Sequence, residues 1–336
     1  MKTLHLKETD EDFDRGAEII RDGGLVAFPT ETVYGLGADA LNPDAVLKIY
    51  KVKGRPADNP SIVHIADYED IRELAAEVTE DMEILMKTFW PGPMTMIVPA
   101  KEIIPKVTTG GLDTVGIRMP RGASCRELVR RSGCPIAAPS ANISGKPSPT
   151  EAQHVIDDFE GKIEAVIDGG PCQVGIESTV IDMTGSIPMI LRPGILTRAD
   201  FERALGKRIL LDPTLNRKPD PEKAEHFRPK APGQKYRHYA PKAPMIIFEG
   251  KDPEQVRGAM DAERLEREQL GQNVCVIDYE PGEERKAAKH FFARLREADR
   301  EGVDVILAAA LPENGVGFSV MNRMLKSAGF NIRKVD

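Results

Sequence analysis

The stretch between residues 212 and 244 most constrains how this chain can fold. Seven prolines lie in it and its apolar residues show no periodicity, so a helix or strand of ordinary length does not fit there. A chain of 336 residues suits two domains at roughly 100–200 residues each. We therefore predict domains at 1–211 and 244–336, joined by a proline-rich basic linker at 212–243.

The residues before the linker interleave helices with many short strands. Apolar residues at helical spacing, such as Phe13, Ala17 and Ile20, predict helices, and short apolar runs such as 94–98 predict strands. The strands do not alternate with helices one for one. This pattern predicts an α/β fold with a sizeable mixed sheet.

The residues after the linker follow a more regular pattern. Strands are predicted at 245–248, 274–277 and 303–307, and the helices that follow them at 253–270, 283–300 and 317–328. Three βα units in succession predict a small parallel, Rossmann-like α/β domain. No Gly-x-Gly-x-x-Gly follows its first strand, so the topology alone does not indicate a dinucleotide site.

Composition disfavours several classes of protein. The net charge of -7 disfavours a protein that holds nucleic acid by bulk charge, although the linker carries eight Lys/Arg against three Asp/Glu between Arg217 and Lys242. No apolar run reaches the roughly 18 residues of a membrane helix, and no secretory signal precedes the first helix. Four cysteines without CxxC spacing indicate reduced thiols, so we expect a cytoplasmic protein without a membrane partner.

Two loops on either side of a short predicted helix, with Asn42 as its cap, form the strongest candidate for a ligand site. The first loop, PTETVYGLG from residue 29, is rich in hydroxyl groups and glycine. The second, KVKGRPADNP from residue 51, gathers Lys51, Lys53 and Arg55 on a Gly-Pro turn. A charge cluster is more often a solvated face. The fixed turn instead favours a polyphosphate site, with arginine chelating oxygens and lysine acting as a point charge.

For several polar residues the sequence alone does not decide between a structural role and a ligand-binding role. The loop PSANISGKPSPT from residue 139 superficially looks like a phosphate-binding P-loop, but its glycine spacing fails, and plain turns are the commoner interpretation. Arg118 and Arg192 near strand ends either lie at the surface or meet an anion in a cleft. A histidine within a strand, such as His64, is more often a core residue than a ligand or a base.

Missing motifs narrow the chemistry. The sequence contains no H-E-x-x-H, no G-x-S-x-G and no Cys/His pair at nucleophile spacing. It also predicts no protein ligand for a metal ion. Chemistry at the candidate site would then depend on positioning anionic substrates and neutralising their charge, as in phosphoryl or nucleotidyl transfer assisted by Mg²⁺.

The order of three motifs resembles a known enzyme family. PTETVYGLG, the pair Lys53 and Arg55, and the pair Ser140 and Asn142 follow one another as in the YrdC-like threonylcarbamoyl-AMP synthases. The linker sequence KYRHYAP and a small C-terminal domain are similar to the longer, two-domain form of that family. The resemblance implies a YrdC-like fold, in which a twisted mixed open sheet with helices surrounds a basic cavity.

The resemblance also implies an activity. A nucleotidyltransferase of this family condenses L-threonine, bicarbonate and ATP, with Mg²⁺, into threonylcarbamoyl-AMP and pyrophosphate. Partner proteins then transfer the threonylcarbamoyl group to tRNA, and we expect at most a weak contact between this chain and tRNA. Two alternatives stay open: an RNA-binding module without catalysis, which the acidic balance disfavours, and a carbamoyl-adenylate-type transferase, which the lack of cysteine clusters disfavours.

The resemblance finally divides site residues between the two substrates. Lys53 and Arg55 are expected to be catalytic. The expected ATP-binding residues are Arg55, Asn59, Thr114, Ser140, Asn142, Ser148, Arg192 and, from a linker that closes as a lid, Tyr236. The expected threonine-binding residues are Thr32, His64, Arg118, the backbone at Ala138, and Ser178. Of these, Arg118 would pair with the carboxylate of threonine.

Overall fold

The structure is a computed structural model that describes residues 2–218, 228–234 and 238–335. Within these ranges the strands form two sheets, one of 11 strands before the linker and one of four strands after it. We call the part with the large sheet the first unit (2–211) and the part with the small sheet the second unit (244–335). The large sheet is mixed and the small one is parallel, which confirms the predicted fold class. The predicted domain limits stay a prediction.

The large sheet brings together stretches that are distant in the chain. Its strands are β1 (Leu4–Lys7), β2 (Val26–Phe28), β3 (Gly35–Asp39), β4 (Ile62–His64), β5 (Met94–Pro99), β6 (Thr114–Arg118), β7 (Ile136–Ala137), β8 (Ala165–Asp168), β9 (Thr179–Asp182), β10 (Met189–Arg192) and β11 (Leu210–Leu211). They lie in the order β1-β8-β2-β3-β7-β4-β6-β5-β9-β10-β11. Because β4 and β6 pair in parallel, their last residues, His64 and Arg118, lie side by side.

The helices of the first unit begin and end where local chemistry allows. They are α1 (Asp10–Arg21), α2 (Pro43–Lys53), α3 (Ile71–Leu74), α4 (Glu80–Phe89), α5 (Ala123–Ser132), α6 (Ala152–Phe159) and α7 (Arg198–Leu205). At the start of α2, the Asn42 side chain accepts hydrogen bonds from the N–H groups of Asp44 and Ala45, as predicted. The helix ends at Gly54, which adopts the left-handed conformation that glycine tolerates best. Arg55 follows directly after this cap.

The second unit confirms the predicted succession of βα units. Its elements are β12 (Met245–Glu249), α8 (Pro253–Gln269), β13 (Val274–Ile277), α9 (Glu284–Glu301), β14 (Val305–Ala309), α10 (Gly315–Ser327) and β15 (Ile332–Lys334). The strand order is β13-β14-β12-β15, and every pair is parallel. The sequence did not predict β15, because this edge strand is short and exposed and lacks an apolar run.

Apolar side chains join the two units. Val33, Ile176 and Ile195 of the first unit belong to the same buried cluster as the side chains of α9 and α10, among them the fully buried Phe291 and Phe292. Burying one such side chain contributes roughly 1.5–3 kcal/mol. The second unit is therefore packed against the loops of the first unit rather than held by the linker alone.

Gly175 marks the closest approach between the units. Its φ of +80° lies in the left-handed region, and a β-carbon there would lie 2.3 Å from the carbonyl oxygen of Lys289 in α9. Only glycine therefore fits between the 174–176 loop and α9 without moving one of them.

We expect Gly175→Ala to destabilise the chain more than a matched substitution elsewhere. Gly271 is the control, since its φ is +77° but a β-carbon there would meet no atom within 4 Å. Gly271→Ala should lower the free energy of unfolding by about 1–2 kcal/mol, which is the cost of a left-handed alanine. Gly175→Ala should cost about 1–3 kcal/mol more, because the backbone of α9 must also shift. Urea titration of both variants checks this, and equal losses would contradict the proposed close packing.

Candidate active site

A cavity lies between the large sheet and described residues of the linker. The predicted residues that line it are Thr32, Arg55, His64, Arg118, Ala138, Ser140, Ser178 and Arg192. The linker contributes Pro232, Gly233, His238 and Tyr239. Side chains from both substrate groups of the sequence analysis therefore meet in the same cavity.

Other predicted residues lie outside the lining. Four of them are buried but do not line the cavity themselves: Lys53, Asn59, Asn142 and Ser148. Thr114 begins β6, whereas Arg118 ends it, so the two lie roughly 13 Å apart at 3.3 Å per residue. Strand length thus keeps Thr114 away from the wall that Arg118 forms. Tyr236 lies outside the described residues.

Lys53 holds a loop of the cavity. Its ammonium group donates hydrogen bonds to the carbonyl oxygens of Ser140 and Asn142. Burial, with a smaller contribution from Arg55, lowers the pKa of Lys53 well below its ordinary value. The contacts of Lys53 therefore position the loop that carries Ser140, and its direct action on phosphates stays a prediction.

Arg55 reaches the wall of the cavity and is fixed by its own loop. Its Nη2 donates to the carbonyl oxygens of Asn59 (3.1 Å) and Pro60 (2.7 Å), and its guanidinium lies 6.0 Å from the ring centroid of Tyr50. Such a held guanidinium is preorganised for an anion, because little side-chain entropy remains to be lost.

Arg118 already has a carboxylate beside it. Its Nη2 lies 2.7 Å from Oε1 of Glu31, with 5% of each side chain exposed, and its Nη1 donates to Oγ1 of Thr32 (3.0 Å). The other oxygen of Glu31 accepts a hydrogen bond from the backbone N–H of Arg121. Glu31 was not among the predicted site residues, although it lies within PTETVYGLG. A carboxylate substrate would therefore join an existing ion pair instead of meeting an isolated cation.

Arg192 and Ser178 form a second polar group in the wall. Arg192 donates through Nε to the carbonyl oxygen of Ser178 and through Nη2 to its hydroxyl, both at 3.1 Å. The Ser178 hydroxyl also lies 2.7 Å from Oγ1 of Thr95. Burial lowers the pKa of Arg192 to about 10, with Glu177 opposing the shift, so the guanidinium stays charged at neutral pH.

Two histidines face the cavity as neutral rings. Burial, followed by the charge of Arg118, lowers the pKa of His64 to about 3. Burial, followed by Lys326 and Arg55, lowers the pKa of His238 to about 3. Within the described ranges, Nδ1 of His64 and Nε2 of His238 have no hydrogen-bond partner. A buried polar atom without a hydrogen-bond partner lowers the stability of the folded chain, so a ligand contact is favoured at both positions.

Aromatic side chains of the linker contribute to the wall of the cavity. The aromatic residues in KYRHYAP were the sequence signal for a lid, and the adjacent His238 and Tyr239 of that motif do line the cavity. Glu177 is a further lining residue that the sequence analysis missed, since no local pattern singled out its carboxylate.

Comparisons with known proteins agree with this architecture. Residues 18–194 match a family model for Sua5, YciO and YrdC proteins described as "Telomere recombination". Residues 196–329 match a model described as "Threonylcarbamoyl-AMP synthase, C-terminal domain". The chain belongs to the threonylcarbamoyl-AMP synthase family. The expected family, in its two-domain form, is confirmed.

Relatives of the family match nearly the whole chain. A threonylcarbamoyl-AMP synthase of Pyrococcus abyssi is 48% identical over 329 residues, covering 95% of this chain and 94% of the relative. One of Bacillus subtilis is 44% identical, covering 97% and 96%. The crystal structure of P. abyssi Sua5 complexed with L-threonine aligns with a TM-score of 0.91 at 45% identity over 100% of both chains. The structure of Escherichia coli YciO shares the fold over 58% of this chain and 97% of its own, with a TM-score of 0.53 at 22% identity.

These relatives confirm the predicted enzyme class, a synthase that transfers a nucleotidyl group. In the ranges that the structure describes, no cluster of three or more His, Cys, Asp or Glu side chains could hold a metal ion. Among the same residues, no helix has the length and apolar character to cross a membrane.

We expect His64 to make stability fall in acid. Its folded-state pKa of about 3 lies below the ordinary value of 6.5, so the unfolded chain takes up a proton first and stability falls as pH drops below about 6.5. His64→Gln should remove about 2 kcal/mol of the loss between pH 6 and pH 4. Urea unfolding at each pH checks this, with His290→Gln on the exposed side of α9 as the control. An unchanged pH dependence in His64→Gln would contradict a buried neutral ring.

Proposed function

We propose that this chain is an L-threonylcarbamoyladenylate synthase, which condenses L-threonine, bicarbonate and ATP into threonylcarbamoyl-AMP and pyrophosphate. The observation that carries the proposal is the convergence of Arg55, Arg118 and Arg192 on one cavity between sheet and linker. Three guanidinium groups suit a reaction that joins anionic substrates. The name of the relatives, and the L-threonine in the structure of the P. abyssi protein, support it.

The cavity suggests how the two substrates divide it. Threonine would lie against Thr32, His64, Arg118, the backbone of Ala138, and Ser178. Since the bonds to Glu31 and Thr32 already orient Arg118, its guanidinium would meet the threonine carboxylate without rearrangement. The neutral His64 ring would accept a hydrogen bond at Nδ1 from the amine or hydroxyl of threonine.

ATP would lie on the other side of the cavity. Arg55, Ser140 and Arg192 would contact its phosphates, and Lys53, Asn59, Asn142 and Ser148 would support the loops that carry these contacts. Mg²⁺ would enter with ATP, held by phosphate oxygens, and would add charge neutralisation. A position of Thr114 or Tyr236 beside ATP stays a prediction.

The reaction needs few groups beyond those that position the substrates. The threonine amine must be neutral to form a carbamate, either with bicarbonate and loss of water or with CO₂ and loss of a proton. A carbamate oxygen then attacks the α-phosphate, and the bond to the β-phosphate breaks to release pyrophosphate. Charge develops on the phosphate oxygens, where Arg55 and Arg192 would stabilise it. Proximity of two anions held by fixed guanidinium groups accounts for most of the proposed rate enhancement.

The remaining expectations follow from this activity. Proteins that transfer the threonylcarbamoyl group to tRNA would consume the product in the cytoplasm, with at most a weak contact between this chain and tRNA. We also propose that the division into 1–211, 212–243 and 244–336 corresponds to a catalytic domain, a lid-forming linker and a second domain.

Pyrophosphate release tests the proposed activity. The pure chain, given ATP, Mg²⁺ and bicarbonate, should release pyrophosphate with L-threonine and far less with any other amino acid. Release that depends on bicarbonate but not on an amino acid would indicate the carbamoyl-adenylate alternative, and no ATP consumption would indicate a binding module.

Arg55→Ala should lower that rate about 100-fold or more, since a preorganised charge contact to the phosphates is lost. Lys51→Ala is the control, because Lys51 is an exposed cation in the last turn of α2, just before the loop of Arg55, and does not line the cavity. Near-normal turnover of Arg55→Ala would remove Arg55 from the catalytic assignment.

A further inference from the structure

Glu177 lies where the three parts of the chain meet. Its Oε1 accepts a hydrogen bond from the Ser148 hydroxyl of the first unit (2.6 Å). Its Oε2 lies 3.1 Å from Nε of Arg323, which belongs to α10 of the second unit. The linker residue Tyr239 faces the same carboxylate, which adds to the effect of burial in raising the pKa of Tyr239 to about 12. One side chain thus contacts all three parts.

The position of Glu177 creates an electrostatic problem. Among the described residues that line the cavity, Glu177 is the acidic one, and it shares the wall with Arg55, Arg118 and Arg192. Burial alone would raise the pKa of Glu177, but the charges of Arg323 and Arg192, with the Ser148 bond, outweigh burial and hold the pKa below its ordinary value. The carboxylate is therefore ionised inside a site that suits anions.

Arg323 is the cation that the second unit places against this carboxylate. Its side chain is 0% exposed, and its Nη1 donates to the carbonyl oxygens of Pro193 and Ser319. It does not line the cavity itself, but it contacts Glu177, which does. After Arg323, Arg192 is the cation whose charge acts most strongly on this carboxylate. Without Arg323, we expect the Arg192 guanidinium to be drawn towards Glu177 and away from a ligand.

We propose that Arg323 is a positioning residue for the ATP half of the site: by pairing with Glu177 it keeps Arg192 available for the phosphates. The second unit thereby completes the active site of the first unit from outside the cavity. This inference rests on the proposed function, because it assigns the phosphates of ATP to the Arg192 side.

The competing interpretation is that Arg323 only fastens the two units together. A buried ion pair that loses one partner destabilises a protein whatever its other role. The two interpretations differ in what the second substitution at Glu177 does. If the harm comes from an unbalanced carboxylate, removing that charge restores ATP binding, whereas lost docking is not restored.

The test is a double-mutant cycle in the full chain. Arg323→Gln should raise the KM for ATP at least tenfold and leave the KM for threonine within threefold. Glu177→Gln combined with Arg323→Gln should return the KM for ATP to within threefold of the unaltered chain. Arg323→Lys, which keeps the charge, should also stay within threefold, and a tenfold rise in this variant would contradict the proposal. If Arg323→Gln does not fold, Arg323→Met takes its place with the same expected rise.

Ser319→Ala is the matched control. Ser319 lies one turn before Arg323 in α10, and its buried hydroxyl donates to the carbonyl oxygen of Gly194 across the same contact between the units (2.7 Å). This variant removes an uncharged bond between the units and should leave the KM for ATP within twofold. A tenfold rise in Ser319→Ala, an unchanged KM in Arg323→Gln, or a double variant as impaired as the single one would overturn the proposal.

Calorimetric titration with Mg·ATP separates this inference from the proposed function. The titration needs neither threonine nor bicarbonate, so the same ratios of dissociation constants are expected even if pyrophosphate release proves independent of threonine. In that case the proposed function fails while the role of Arg323 stands. Absence of ATP binding by the unaltered chain would overturn both.

Discussion

Three buried guanidinium groups surround one cavity, and the surrounding residues must supply hydrogen bonds and counter-charges for them. A charge removed from water costs several kcal/mol unless hydrogen bonds and counter-charges offset it. Arg55 meets this condition with loop carbonyls, Arg118 with Glu31, and Arg192 with the backbone and hydroxyl of Ser178. Each solution fixes a guanidinium before any substrate arrives, so the arrangement that stabilises the fold also preorganises the proposed site.

The second unit also supplies partners for buried charges and loops around the cavity. Glu177 is buried near Arg192, and Arg323 from α10 supplies the balancing charge. Arg296 of α9 similarly contacts the Asp158 carboxylate (2.9 Å) and the carbonyl oxygen of Pro147, next to Ser148. Described residues of the linker line the cavity, and Lys326 of α10 donates to the carbonyl oxygen of one of them, Gly233. Side chains of the second unit thus fix the loops around the cavity without occupying space inside it.

The sequence predicted what depends on neighbouring residues. The cap at Asn42, the turn that carries Arg55 and the βα units of the second unit all follow from local patterns. It also predicted Arg118 and Arg192, but only through resemblance to a family, because their meeting depends on strand order across the sheet. Glu31 and Glu177 were missed for the same reason: their partners lie 87 and 146 positions away in the chain. The periodicity of apolar residues carries no information about such distant pairs. Strand β15 was not predicted because an exposed edge strand needs no apolar run.

The central claim is that one cavity joins threonine, bicarbonate and ATP, and detection of the product tests it most directly. The pure chain would be incubated with ¹³C-bicarbonate, L-threonine and Mg·ATP, and the nucleotides resolved by mass spectrometry. The account predicts threonylcarbamoyl-AMP that carries one ¹³C and appears together with pyrophosphate. Formation of AMP or ADP without a labelled threonine adduct would contradict it.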